Sequence, residues 1–121
     1  MINDLADFLA RNGFTPVVQG KSSLRVYDSE LPVYLEARLE DNKVYTYIGF
    51  TGELREKLEE AALSGEDIEE MVENSLSYLN TCALLVKKWA DEKRLITVFK
   101  LREGSVELME LLEDIMEELK E

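Results

Sequence analysis

The sequence predicts a single α+β domain, and three observations support this fold class. The 121 residues match the length of one domain, which is roughly 100–150 residues. Hydrophobic residues make up 45% of the chain, enough to form a core. Their spacing is helical at the start, alternates from about residue 14 to residue 50, and is helical again afterwards. We therefore expect one domain over residues 1–121, with a helix and most of the strands preceding the other helices.

The first helix is predicted over about residues 3–12. Its apolar stripe consists of Ile2, Leu5, Phe8 and Leu9. We expect Asn3 to cap the start of the helix, because asparagine accepts a hydrogen bond from a free N–H group there. Asn12-Gly13 should end it, because glycine readily adopts the left-handed backbone conformation of a helix terminus.

A four-stranded antiparallel meander is predicted next. Its first two strands cover about residues 14–19 and 22–28, and a two-residue loop of type I′ at Asp41-Asn42 joins the other two, 33–40 and 43–50. Counting outward from this loop places the apolar residues on one face of the sheet. The opposite face interleaves aromatic and charged side chains, namely Arg25, Tyr27, Tyr34, Glu36, Arg38, Tyr45 and Tyr47.

Two helices follow the meander, over about residues 53–63 and 65–93, and Ser64 and Asp67 fit a capping box before the second one. Unbroken, the second helix would be about 43 Å long. A domain of this size has a radius of gyration of only about 14 Å. We therefore expect the helix either to bend near Asn80-Thr81 or to extend beyond the domain and be covered by a partner.

The last part of the sequence predicts a strand and a helix. Residues 95–101 are apolar and β-branched, which is typical of a strand covered on both faces. Glu103-Gly104 is expected to form a turn and Ser105 to cap the final helix, 106–120, which packs on the sheet.

Composition excludes several classes of function. The chain has 26 acidic and 14 basic residues, a net charge of −12, which opposes binding to duplex nucleic acid and to anionic membranes. It has no histidine, the usual general base at neutral pH and the commonest transition-metal ligand. We expect a non-enzymatic protein without a cofactor or metal. The single cysteine, the acidic N-terminus and the lack of a long apolar run predict a cytoplasmic location.

The charge is distributed unevenly along the chain. Residues 53–86 and 103–121 each carry −7, whereas the basic segment 87–102 carries +4. Its basic residues are Lys87, Lys88, Lys93, Arg94, Lys100 and Arg102. These residues either pair with acidic helices of the same chain or of another subunit, or bind an acidic protein surface, a phosphate or a nucleic acid.

Other chemical groups have simpler interpretations. Acidic clusters at Glu66, Glu70 and Glu73, and again between residues 110 and 117, are expected to be solvated helix faces. Cys82 is expected to be a buried thiol without a catalytic role. One glutamine beside 19 glutamates is typical of thermophilic proteins.

The order of elements is similar to that of type III secretion chaperones, which are small, acidic and often dimeric proteins that bind other polypeptides. The resemblance covers most of the chain as architecture and includes no residue motif. We expect an interaction module, a homodimer, that contacts itself or another polypeptide through the long helix or the Tyr/Arg-rich sheet face. The alternative is an anion-binding or enzyme site on that face, with Arg25 or Arg38 holding the anion and a tyrosine or Glu36 handling protons.

Overall fold

The computed structural model describes residues 1–120, and its fold is α+β. Within these residues the elements are, in chain order, α1 (Ile2–Arg11), β1 (Pro16–Gln19), β2 (Ser23–Tyr27), β3 (Val33–Glu40), β4 (Lys43–Phe50), α2 (Leu54–Leu63), α3 (Ile68–Glu92), β5 (Ile96–Lys100) and α4 (Leu101–Lys120). Along the part of the chain that the structure describes, no helix is long and apolar enough to cross a membrane.

The five strands form one sheet in the order β1-β2-β3-β4-β5. The first four are antiparallel neighbours, and the predicted register of β3 and β4 is confirmed, from Val33 opposite Phe50 to Glu40 opposite Lys43. β5 pairs with β4 in parallel. α2 and α3 return the chain to the end of the sheet at which β4 begins, so β5 runs in the same direction as β4. The sheet is therefore a meander extended by one parallel strand.

Apolar residues on one side of the sheet form the core with the helices. Leu24, Leu35, Ala37 and Val44 are fully buried there, together with Leu79 of α3 and other inward residues of the helices. The opposite side of the sheet keeps many half-buried or exposed side chains, and among residues 1–120 none of its side chains belongs to the hydrophobic core. We call this second side the open face.

The long helix α3 is continuous over 25 residues. Its buried positions extend from Ile68 to Ala90, and it packs against each of the other three helices and against β3, β4 and β5. The expectation of an overhang that a partner covers was wrong, because the chain itself buries the inner side of the helix from Ile68 to Ala90. Asp67 alone caps α3, accepting the N–H of Glu70 at 3.2 Å, while Ser64 ends α2.

The second half of the chain departs from its predicted structure at β5 and α4. β5 is an edge strand in which Ile96 is 52% exposed and Phe99 40% exposed, so the expectation that it is covered on both faces was wrong. The predicted turn at Glu103-Gly104 and cap at Ser105 were also wrong, since α4 begins at Leu101 and runs through all three residues.

Two local predictions near the termini of elements also need correction. α1 begins at Ile2 after Met1, so Asn3 lies inside the helix instead of capping it. In the Asp41-Asn42 loop only Asp41 has a positive φ, of 53°, whereas a type I′ turn needs positive values at both positions. The two-residue loop and its register are nevertheless as predicted.

Candidate functional site

The open face is the candidate functional site, and one row of residues crosses it from edge to edge. The strand pairings align Val17, Arg25, Glu36, Tyr47 and Lys100, one residue from each strand. Because paired residues in adjacent strands point to the same side, these five side chains are neighbours on the open face. Sequence spacing alone predicted the middle three positions of this row.

Glu36 lies at the centre of the row and is only 2% exposed, although the face around it is open. Its Oε1 accepts a hydrogen bond from Arg25 Nε at 2.8 Å, and its Oε2 accepts one from an Arg38 guanidinium nitrogen at 3.1 Å. The Tyr47 hydroxyl donates a short hydrogen bond to the same Oε2. Both carboxylate oxygens therefore have charged or hydroxyl donors, and the neighbouring side chains exclude water from the carboxylate.

This arrangement shifts the pKa values of its members in opposite directions. Burial alone would raise the pKa of Glu36, but the hydrogen bonds from Tyr47 and Arg25 and the charges of Arg25 and Arg38 outweigh it, so that the pKa lies below its usual value. Burial and the Glu36 carboxylate raise the pKa of Tyr47 to about 12. Glu36 is therefore ionised at neutral pH, and Tyr47 keeps its proton.

An aromatic group adjoins the Glu36 cluster. The Arg25 guanidinium lies 4.2 Å from the centre of the Tyr34 ring, and the Tyr27 and Tyr34 rings are 5.6 Å apart. Tyr34 in turn lies across Gly49, where an added Cβ would come within 2.7 Å of the ring. Gly49 thus lets the Tyr34 ring lie against the strand, where it supports Arg25 through a cation–π contact.

The structure brings the predicted site residues together on one face. Six of the seven belong to one connected group through hydrogen bonds or ring contacts, as described above. Tyr45 lies beside Arg38 on the same face, but its hydroxyl has no hydrogen-bond partner within residues 1–120. Val17 was not predicted, and Lys100 was predicted only as part of the basic segment, since the sequence did not show that β1 and β5 would extend this face at its two edges.

Charge is segregated between the two sides of the molecule. The open face carries four basic and two acidic side chains, a net charge of +2: Arg25, Arg38, Lys43 and Lys100 with Glu36 and Glu40. The four helices, by contrast, carry 17 acidic and seven basic residues, a net charge of −10. The open face is therefore the less acidic side of an acidic protein.

The six basic residues of segment 87–102 are distributed over three elements and one connection. Lys87 and Lys88 lie near the end of α3, Lys93 and Arg94 in the connection to β5, Lys100 at the end of β5, and Arg102 in the first turn of α4. All six are exposed. Among residues 1–120 only Lys87 of this group forms an ion pair, with Asp91 at 2.7 Å. Lys93 lines a groove with carboxylates of α1, and Arg102 lines one with carboxylates of α4, whereas Arg94 and Lys100 lie at the two ends of β5.

Other features of the described residues offer little support for a catalytic or metal-binding site. Five surface grooves lie around the helices and connecting segments, and none of these five is lined by the Glu36 cluster. In residues 1–120 no three cysteine or carboxylate side chains are placed to hold one metal ion. Cys82 is fully buried, as expected, and burial raises the pKa of its thiol to about 12.

Comparison with known proteins gives no relative: no protein-family model, curated protein or solved structure matches the chain. The candidate site is therefore interpreted from its geometry and charge.

Proposed function

We propose that the protein is a non-enzymatic protein–protein interaction module that binds through its open face, and that its first partner is a second copy of the chain. The observation that carries this proposal is the buried, hydrogen-bonded Glu36 cluster within an uncovered face of tyrosine and arginine side chains. Tyrosine and arginine are enriched in protein interfaces because they bury a large area while keeping polar ends.

The hydrogen bonds of Glu36 favour a role of the open face in protein–protein contact over a catalytic role. A general base must reach its substrate, whereas Glu36 is only 2% exposed and its two oxygens already accept three hydrogen bonds. Arg25 and Arg38 also share this carboxylate, which reduces their attraction for another anion. The cluster holds its own side chains in a fixed arrangement, and fixed side chains lose little entropy on binding.

The composition of the open face also supports association with its own copy. Each face carries both guanidinium groups and aromatic rings, so two faces can place arginines of one against tyrosines of the other. The order of elements predicted from the sequence is similar to that of type III secretion chaperones, and the dimeric, polypeptide-binding nature of those proteins is in keeping with this proposal.

The dimensions of the sheet indicate a weak dimer. Five strands are about 24 Å across, and the eight-residue strands are about 27 Å long. The contact area is therefore below the roughly 800 Å² per partner of a standard interface. We expect monomers and dimers to exchange at micromolar concentrations, because the +2 charge on each face also opposes their approach.

The two adjacent valines of β1 provide a matched test. Val17 lies on the open face and is 45% exposed, whereas Val18 points to the other side and is 39% exposed. In sedimentation velocity the average mass of the wild-type protein should rise with concentration towards that of two chains. Val17→Arg should keep the protein monomeric because it adds charge to the interface, and Val18→Arg should leave dimer formation unchanged.

Two results would contradict the proposal. A wild-type protein that stays monomeric up to several hundred micromolar would exclude the homodimer. Equal loss of dimer in both valine variants would show that association does not use the open face.

A further inference from the structure

We propose that the outer edge of β5 binds an extended acidic segment of a partner polypeptide, which adds to the sheet as a sixth strand. This site adjoins the proposed homodimer surface, with which it shares Ile96 and Lys100, but it uses the free backbone edge of β5 instead of the face of the sheet. It rests on the free backbone groups of β5, the apolar side chains beside them and the basic residues around them.

The backbone of β5 has one paired and one unpaired side. The Ile96 N–H donates to the Asn42 carbonyl at 2.8 Å, so the backbone groups of Ile96 point towards β4. Because these directions alternate along a strand, the N–H groups of Thr97 and Phe99 point away from β4. Neither N–H has a backbone acceptor within residues 1–120. This edge can therefore receive another strand.

Exposed apolar side chains lie on both sides of the edge. Ile96 is 52% exposed on the open face. On the helix side, Phe99 is 40% exposed and lies with Leu84 of α3, which is 68% exposed, along a groove that also includes Ala83 and Leu101. An added strand directs alternate side chains to the two sides of the sheet, so it would cover both apolar areas.

The surrounding charge favours an acidic occupant. Arg94 precedes β5 and Lys100 ends it, and both side chains are exposed and without an ion pair in the described residues. Lys93 and Arg102 are also close in the chain, but each lines a groove that includes carboxylates. An acidic segment would be attracted to both ends of the strand. A second copy of β5 would bring the same basic residues into proximity, so we favour a different polypeptide over self-pairing.

The other edge of the sheet lacks this combination. β1 has only four residues and begins with Pro16, which has no N–H to donate. No cluster of basic residues flanks it in the sequence. The two edges are therefore not equivalent, and β5 is the one suited to a strand partner.

Synthetic peptides test this inference on the full chain. The probe is a fluorescein-labelled ten-residue peptide in which a central run of valines is flanked on both sides by glutamates, and its control replaces each glutamate with lysine. In fluorescence anisotropy we expect the acidic peptide to bind at least about tenfold more tightly, because it complements the basic residues. Amide exchange by NMR should slow at Thr97 and Phe99 when the acidic peptide binds, since their N–H groups become hydrogen-bonded.

Variants distinguish the contribution of the β5 backbone to peptide binding from that of the apolar groove. Thr97→Pro removes an outward N–H and should weaken binding about tenfold, while Thr97→Val should not. Leu84→Asp places a negative charge in the groove and should weaken binding as well, so it tests the site even if the proline variant fails to fold. Its matched control is Leu63→Asp on α2, because Leu63 is 79% exposed and distant in the chain from the groove.

Each result bears directly on the inference. Equal binding of the acidic and basic peptides, no binding at millimolar concentration, or unchanged exchange at Thr97 and Phe99 would overturn it. A homodimer that is lost in Thr97→Pro would identify a second copy as the occupant and would also overturn it. Unchanged peptide binding in Val17→Arg would show that this site acts independently of the proposed dimer surface.

Discussion

Gly104 of α4 lies directly against the backbone carbonyl of Ile48 in β4. A β-carbon at Gly104 would overlap that carbonyl oxygen and would lie 3.0 Å from the carbonyl carbon. The obstacle is backbone at the centre of the sheet, which cannot move aside as a flexible side chain can. The absence of a side chain at Gly104 is therefore what allows α4 to approach β4 closely.

We expect Gly104→Ala to destabilise the protein, although alanine normally favours a helix by up to about 1 kcal/mol over glycine. The overlap should outweigh this gain and lower the free energy of unfolding by about 2 kcal/mol. Gly52→Ala is the matched control, because a Cβ there meets nothing within 4 Å. Urea denaturation of both variants measures the difference, and an increase in stability for Gly104→Ala would contradict the close packing.

Glu36→Gln should lower the free energy of unfolding by about 2 kcal/mol at pH 7, because the two arginines lose their carboxylate. The lowered pKa of Glu36 means that its contribution is complete above the ordinary value of 4.5 and is lost as the pH falls through the lower, folded-state value. The difference between wild type and variant should therefore shrink below about pH 4.5. Glu40→Gln, an exposed position at the end of β3, is the control and should show little effect at either pH.

Tyr47→Phe should cost about 1–2 kcal/mol at neutral pH, since it removes a hydrogen bond to a buried carboxylate. The pKa of Tyr47 rises from 10.0 to about 12 on folding, so its contribution is complete below pH 10 and is lost as the pH rises through 12. We therefore expect the difference in unfolding free energy between wild type and Tyr47→Phe to decrease between pH 10 and about pH 12. Tyr45→Phe serves for comparison, and an equal cost for both substitutions would argue against a special role for the Tyr47 hydroxyl.

Asp28 links the loop after β2 to the long helix. Its Oδ2 accepts the N–H groups of Glu30 and Leu31 and the Ser75 hydroxyl, at 2.9–3.0 Å. We expect Ser75→Ala to lower the free energy of unfolding by about 1 kcal/mol, and Asp28→Ala to cost more because it removes all three hydrogen bonds. Thermal unfolding checks this order, with exposed Ser77→Ala on the same helix expected to be neutral.

Cys82 should react with a thiol reagent only when the fold opens. Its side chain is fully buried, and burial raises the pKa of the thiol to about 12, so that almost no thiolate is present at pH 8. We expect the native protein to react on the order of a thousandfold more slowly than the urea-unfolded chain. A comparable rate in both states, measured with a chromogenic disulfide, would contradict this burial.

The periodicity of the sequence was sufficient to predict the class of fold and most of the candidate site. Alternation and a two-residue loop specify the β3–β4 register, because a shift of one residue would turn every apolar side chain outward. That register is what places Glu36 beside Tyr47. The alternation of β2 likewise places Arg25 on the same face of the sheet as Glu36, as the structure confirms.

The errors fall where local patterns do not report distant contacts. Gly104 was interpreted as a turn because glycine weakens isolated helices, yet here it permits contact with a strand more than fifty residues earlier. The length of α3 suggested an overhang because the sequence does not show how many other elements pack along the helix. The Asn3 cap failed because helix ends are set by local hydrogen bonds that shift by a residue or two.

The sequence by itself determined the alternation of helices and strands, the β3–β4 register and the charged and aromatic residues of one sheet face, because these depend on side-chain spacing within short segments. Only the tertiary structure decided that β5 joins the sheet in parallel at an edge and that Glu36 is enclosed by Arg25, Arg38 and Tyr47. The enclosure of Glu36 depends on side-chain contacts across β2, β3 and β4, and the pairing of β5 depends on the path of α2 and α3 across the sheet. That path is set by packing between residues far apart in the chain, on which local periodicity carries no information.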